Sequence, residues 1–178
     1  MGPAENAEKS AADAYEVEVD ADAFRRTVCR FATGVTVVTT VVAGVDHAMT
    51  ASAFTAVSLE PLLVLVCVDK DARFHDAVVE SGTWGVSILD STARPAAEWL
   101  ASRGRPLHGQ LERVPHRRGP VTGCALLDAS LATLECRTTD VFDGGDHSII
   151  MGTVVGLGTP QPDGRPLLYF RSGYHTLP

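Results

Sequence analysis

The sequence predicts a mainly β protein with flanking helices, its strands running mainly antiparallel and closing into a barrel. Three observations carry that expectation. GVTVVTTVV (34 to 42), LLVLVCV (62 to 68) and GVSIL (85 to 89) are dense in β-branched and apolar residues and too short for solvated helices. The last third of the chain strings similar runs together through DGGDH and GTPQPDGR, short Gly- and Asp-bearing connections of the kind hairpins use. Two stretches of helical periodicity interrupt the strands and read as helices flanking the sheet. With six or more strands, closure would remove exposed edges.

Residues 1 to 19 are rich in Ala and Glu with few large apolar groups, which reads as a disordered acidic tail, leaving 20 to 178 as one domain. From Asp22 the pattern changes: Phe24, Val28 and Phe31 recur at helical spacing, Asp22 is placed to cap the first turn and Gly34 to end the segment, predicting a helix over 22 to 31. GVTVVTTVV is then the first strand, with AGVDH as its turn. LLVLVCV and GVSIL are buried strands. Between them DARFHDAVVESG places Phe74, Val78 and Val79 on one helical face, and STARPAAEWLASRG predicts a second helix opening near Ser91 or Thr92 and closing at Gly104. Residues 103 to 123 combine Gly and Pro with Arg103, Arg105, Arg113, Arg117 and Arg118 without periodicity, predicting a long surface loop or lid, with its arginines expected on a solvated surface. CALLDASLATLECRTTDVF, SIIMGTVVGL and PLLYF complete the strands.

The net charge of −7 is concentrated at the start, where residues 1 to 22 hold Glu5, Glu8, Asp13, Glu16, Glu18, Asp20 and Asp22 against Lys9 alone. The remainder is close to neutral, so no basic footprint for nucleic acid or an anionic membrane emerges. The start lacks a basic region followed by an apolar core, and no apolar run approaches the ~18 residues of a membrane span, so the protein is expected in the cytoplasm. Cys29, Cys67, Cys124 and Cys136 form no CxxC pair and are expected as reduced, buried thiols. GxxxxGK[ST], HExxH and GxSxG are all missing, and GTVVGLG has the wrong glycine spacing for a dinucleotide fingerprint. The histidines at 47, 75, 108, 116, 147 and 175 form no pair at ligand spacing, and no metal site is expected.

One stretch is hard to account for as packing alone. HAMTASAFTAVSLEP (47 to 61) carries Thr50, Ser52, Thr55 and Ser58 among alanines, with no charge from Ala48 to Leu59, directly before a buried strand. Small polar residues let another molecule approach a backbone closely, although a strand packing small side chains against its neighbour would read alike.

Taken with FATGVTVVTT (31 to 40), LVLVCVDKDARFH (63 to 75) and GDHSIIMGTVVGL (145 to 157), in that order, this stretch resembles the flavin reductase family, the NAD(P)H-dependent reductase components of two-component flavin monooxygenases. The resemblance runs from about Phe24 to Tyr174. It implies a homodimeric FMN-binding split β-barrel of antiparallel Greek-key type. It also implies a flavin, FMN or FAD, held by Thr33, Met49, Thr50, Ala51, Ser52, Ser58, Cys67, Asp69, Lys70, Arg73 and Phe74. In that picture CVDKDARFHD is the phosphate-binding turn, with backbone N–H groups at a helix start helped by Lys70 and Arg73. The family commonly has Ser-Arg-Thr where this chain has Ala72, Arg73 and Phe74, so two customary hydroxyls are missing. The Gly-Asp-His turn is implied to present His147, the candidate catalytic residue, to NADH or NADPH, with Asp146 holding the turn and Tyr169, Arg171 and Tyr174 at the edge of the nicotinamide pocket. The implied activity is hydride transfer from nicotinamide C4 to flavin N5, with reduced flavin delivered to a partner monooxygenase. Two alternatives stand beside it: a flavin-binding split-barrel protein without reductase activity, and a pyridoxamine-phosphate-oxidase-like enzyme.

Overall fold

The computed structural model describes residues 19 to 177; the expected tail falls almost wholly outside them. Helix α1 (Ala21–Val28) is followed by β1 (Thr33–Gly34), β2 (Thr36–Val42), β3 (Val45–Ala51), β4 (Phe54–Leu59) and β5 (Leu62–Asp69). Helix α2 (Arg73–Ser81) leads into β6 (Thr83–Leu89), a short 3₁₀ turn (Ser91–Ala93) and α3 (Arg94–Ala101). The remaining strands are β7 (His116–Arg118), β8 (Ala125–Leu127), β9 (Ser130–Gly144), β10 (His147–Gly158), β11 (Leu167–Phe170) and β12 (Gly173–Thr176). The mainly β architecture and both intervening helices are as the sequence predicts.

Several boundaries differ, each for a local reason. Asp20, not Asp22, caps α1, because its carboxylate reaches the N–H groups of Asp22 and Ala23 at 2.8 and 2.7 Å, and the helix ends at Val28, short of the expected 31. At the second expected helix Asp90 accepts the Thr92 N–H at 2.8 Å and starts a 3₁₀ turn, and α3 itself begins only at Arg94, with Pro95 in its first turn, and ends at Ala101. The expected loop over 103 to 123 contains β7, which pairs with β8 from Arg118↔Ala125 to His116↔Leu127.

Seven strands form one antiparallel sheet in the order β3-β2-β6-β9-β10-β5-β4. All seven give a residue to a single core: Val38, Ala51, Val64, Val66, Val68, Trp84, Val86, Cys136 and Ile150, with Phe54 of β4 packed against them. A sheet whose two edges meet one cluster must curl, and Phe74 and Val78 of α2 fill the concavity. Trp84 is fully buried there, and only a glycine fits beneath it: a Cβ on Gly152 would lie 2.9 Å from the indole and 2.8 Å from the Arg137 carbonyl. Cys124 and Cys136 are buried, whereas Cys29 and Cys67 are partly exposed. Burial pushes the Cys136 thiol up to about 12 and raises that of Cys124.

A second core joins Val35, Val37 and Leu89 to Ala97 and Leu100 of α3, to Leu111 and Val114 of the following loop, and to Leu127 and Leu167. It ties the loop and the small sheet β1-β11-β12 to the body. The 103 to 123 region is therefore built in rather than free. Leu111 and Val114 are buried, and Glu135, 2% exposed, accepts the Val121 and Thr122 N–H groups and the Thr122 hydroxyl at 2.6–3.0 Å.

Candidate active site

Strand β3 is an edge of the large sheet, so alternate residues point their backbone N–H and C=O groups outward. At Ala48 those groups are taken by the loop after α3: Arg105 Nη2 donates to the Ala48 carbonyl at 3.0 Å and the Ala48 N–H meets Gln110 Oε1 at 3.4 Å. Two residues on, Thr50 has the same outward backbone aspect, and its hydroxyl is spent on the Ala97 carbonyl of α3 at 2.8 Å. Between this edge, the turn before α2 and the loop after α3 lies a cleft of about 400 Å³. Its walls are His47, Ala48, Met49 and Thr50; Asp69, Asp71, Ala72, Arg73 and Phe74; and Leu100 to Arg105 with Gln110.

The electrostatics follow from what is capped and what is not. Ala72 occupies the N-cap of α2 without a side-chain cap; the His75 N–H meets the Ala72 carbonyl at 2.8 Å, and Ala72, Arg73 and Phe74 line the cleft where the helix begins. Arg73 Nη2 donates to the Arg105 carbonyl and Arg105 Nη1 to the Ser102 carbonyl, which ties both side chains to the loop after α3 on one wall of the cleft. Burial lowers the Arg105 pKa, and the Arg73 charge lowers it further. Two buried polar atoms in these walls have no protein partner, His47 Nδ1 and Arg105 Nε. Burial holds the His47 pKa below its ordinary value. Uncompensated buried groups cost about 1–3 kcal/mol each, so the cleft is better suited to a polar, anionic guest than to an apolar one. These donors fit a phosphorylated flavin. A larger hollow of about 680 Å³ beside Trp99 is lined mainly by apolar groups.

The Gly-Asp-His turn stands next to this cleft because β5 and β10 end together, with Asp69 opposite His147. His147 Nδ1 lies 2.8 Å from the Asp146 carboxylate, and this contact holds Asp146 below the usual carboxylate range. Lys70 does not line the cleft. Its Nζ donates to the Gly145 carbonyl at 2.6 Å and to the Asp143 carboxylate, while its backbone N–H meets the Asp146 carbonyl at 3.0 Å.

The structure thus brings Met49, Thr50, Asp69, Arg73 and Phe74 of the expected flavin residues to one cleft. Ala51 is buried in the core, Ser52 is exposed, Cys67 pairs with Ile149 inside the sheet, and the Ser58 hydroxyl accepts the Glu60 N–H at 3.2 Å. Thr33 pairs with Tyr169 on the small sheet, its hydroxyl buried without a partner. Tyr169 and Tyr174 meet edge to face at 5.4 Å, Arg94 sits 5.9 Å from the Tyr174 ring centroid, and burial raises the Tyr174 pKa. Arg171 stacks on Phe170 at 5.2 Å. Tyr169, Arg171 and Tyr174 belong to the small-sheet region, His147 to the large sheet. Arg103, Arg105 and Gln110 are cleft residues that the sequence reading assigned to a solvated loop or passed over. Arg103, Arg113, Arg117 and Arg118 are exposed as expected, and Arg105 alone is drawn in, where buried Leu111 and Val114 hold the loop, which an aperiodic stretch does not signal.

Comparison with known proteins places the cleft in context. Residues 28–178 match the flavin reductase like domain. The chain is 41% identical over 133 residues to an NADH-dependent FAD reductase of Streptomyces globisporus, covering 74% of this chain and 72% of that protein. It is 37% identical over 158 residues to the reductase component of a 4-hydroxyphenylacetate 3-monooxygenase of Thermus thermophilus, covering 88% and 96%. Among solved structures, the NADH:FAD oxidoreductase SgcE6 of Streptomyces globisporus, in complex with NAD and FAD fragments, superposes with a TM-score of 0.85 at 33% identity, covering 92% of this chain and 98% of that one. With a family match over most of its length, and the uncapped helix start and small-residue edge strand meeting at one cleft, the chain belongs to the flavin reductase like family.

Proposed function

We propose that this protein is an NAD(P)H:flavin oxidoreductase that reduces FMN or FAD and supplies the reduced flavin to a partner monooxygenase. The observation that carries this is the cleft itself, where the edge of β3 at Thr50, an α2 N-terminus without a side-chain cap and the side chains of Arg73 and Arg105 converge. A bound flavin would supply the hydride acceptor, its N5, for nicotinamide C4. The chain supplies the rest. The outward backbone at Thr50 offers hydrogen bonds to a planar heterocycle, and Ala48, Ala51 and Ala53 keep that edge low. The first N–H groups of α2 with Arg73 and Arg105 receive phosphate. His147, held by Asp146, orients the nicotinamide. No acid–base dyad is needed, and delivery to another protein calls for flavin affinity on the order of micromolar.

The same reading takes the curled sheet as an FMN-binding split β-barrel of Greek-key type formed by residues 20 to 178, working as a cytoplasmic homodimer. Support for a second copy comes from the large apolar side chains left at the surface, Phe24, Phe31, Leu59 and Leu157 each being more than 60% exposed. Tyr169, Arg171 and Tyr174 belong to the β1-β11-β12 sheet and His147 to the large sheet, and the same reading places all four at the nicotinamide pocket. The decisive experiment is NADH oxidation followed with FMN, FAD and riboflavin in turn, with NADPH as comparison donor. Turnover with a phosphorylated flavin is expected; flavin binding without NADH oxidation would favour a flavin-binding protein instead.

A further inference from the structure

The turn that carries His147 is intrinsically loose, with two adjacent glycines, Gly144 and Gly145, the second at φ +82°, and it projects at the solvent-exposed end of β9 and β10. Such a hairpin tip would normally sample many positions. Here it is held from both sides by one short piece of chain. On one side Lys70 reaches three of its residues: the backbone N–H to the Asp146 carbonyl at 3.0 Å, Nζ to the Gly145 carbonyl at 2.6 Å, and Nζ again to the Asp143 carboxylate. On the other side His75, in the first turn of α2, places Nε2 2.9 Å from the hydroxyl of Ser148, which is only 6% exposed. The Asp76 carboxylate lies 3.1 Å from His75 Nδ1 and can only accept, so a neutral imidazole carries its proton at Nδ1 and takes the Ser148 O–H at Nε2. His147 sits between the two grips, and the gripping segment, 70 to 75, includes Asp71, Ala72, Arg73 and Phe74 of the cleft wall.

We propose that Lys70 and His75 are positioning residues, clamping the Gly-Asp-His turn to the flavin-binding segment so that the nicotinamide-facing imidazole and the flavin are placed by one rigid unit. The inference rests on the reading of His147 as the residue that meets the nicotinamide. The Lys70–Asp143 ion pair, at 38% and 80% side-chain exposure, contributes little to folding. The effect of the clamping contacts belongs to geometry, on which hydride transfer depends steeply.

The test is stopped-flow reduction of pre-bound flavin by NADH in wild type, Lys70→Met, Lys70→Arg, His75→Ala, Ser148→Ala, His147→Ala and the double variant Lys70→Met/His147→Ala, each checked by flavin titration and thermal unfolding. Lys70→Met and His75→Ala are each expected to slow reduction or raise the NADH half-saturation about tenfold, within the roughly hundredfold that a 1 Å misplacement costs, while flavin affinity stays within about twofold. Lys70→Arg should recover most of the rate, Ser148→Ala should reproduce His75→Ala, and the double variant should be no slower than His147→Ala alone. Multiplicative slowing in the double variant would show Lys70 acting independently of His147 and overturn the clamp. So would wild-type kinetics in both Lys70→Met and His75→Ala, or a Lys70→Met defect confined to flavin affinity. Wild-type kinetics in His147→Ala overturn the underlying reading of His147, and the clamp with it, a result distinct from failure of the clamp alone.

Discussion

His147 and Arg105 mark the two ends of what single residues reveal. His147 stands out in the sequence because Gly-Asp-His is a motif, and its position beside Asp69 follows from strand register. His147→Ala is expected to raise the Michaelis constant for NADH or slow hydride transfer while leaving flavin affinity nearly unchanged, since loss of one neutral hydrogen bond costs about 0.5–1.5 kcal/mol and a misplaced ring more. Steady-state kinetics against NADH with a parallel flavin titration measures both. Arg105, in contrast, lies in a stretch whose arginines look interchangeable until the fold shows one of them donating to the Ala48 carbonyl and carrying a buried, unpartnered Nε. Removing it as Arg105→Ala takes away charged hydrogen bonds of the 1.5–3 kcal/mol class, so flavin affinity should fall about tenfold or more. A fluorescence titration equal to wild type would show that this loop does not wall the flavin. Lys70 was legible as a cation near a phosphate turn, but not its partners, because Asp143 and Gly145 are more than 70 residues away in sequence.

Secondary structure was far more legible than its joints. β-branched runs such as Thr36–Val42 announced strands, and the Phe74/Val78 spacing announced α2, because those patterns come from the face each element buries. What the pattern missed were β3 and β4, whose small polar residues carry no apolar alternation, the short strands β7 and β12, and caps decided by one carboxylate, as at Asp20 and Asp90. Asp90 gives a measurable consequence. Burial by itself would raise its pKa, but hydrogen bonds from Thr92, Arg165 and Ser91 outweigh this and hold it below the usual carboxylate range. Its folded value being lower than its unfolded one, Asp90 stabilises the protein above the ordinary carboxylate pKa, and that contribution fades as pH falls below about 4. Asp90→Asn keeps an acceptor but does not titrate, so denaturant unfolding between about pH 4 and 2 should show a shallower loss of stability than wild type. Packing makes an equally sharp demand at Gly152. Gly152→Ala drives a methyl against Trp84 and the Arg137 carbonyl, and overpacking of this kind costs about 1–3 kcal/mol, to be read from the same unfolding curves.

For the molecule as a whole, the proposed homodimer makes a direct prediction. Leu59, 86% exposed beside the β4–β5 turn, and Phe31, 74% exposed after α1, are costly to leave in water, and light scattering should report twice the chain mass. A monomeric wild type would remove the assembly reading, while Leu59→Asp should shift the equilibrium toward monomer if this patch is the contact. Sequence alone could not locate such a surface, because a strand residue at an interface and one in a core obey the same alternation. The two innermost cysteines carry a last implication, one of chemical lifetime. Reduced flavin released in air reacts with oxygen to give hydrogen peroxide, so a protein with this proposed task works in its own corrosive product. Peroxide attacks thiolates, and a thiol whose pKa is about 12 is ionised at pH 7 in only about one molecule in 10⁵. Cys136 and Cys124, both buried and with raised pKa, should resist oxidation, and oxidative wear should register first at the partly exposed Cys29 and Cys67.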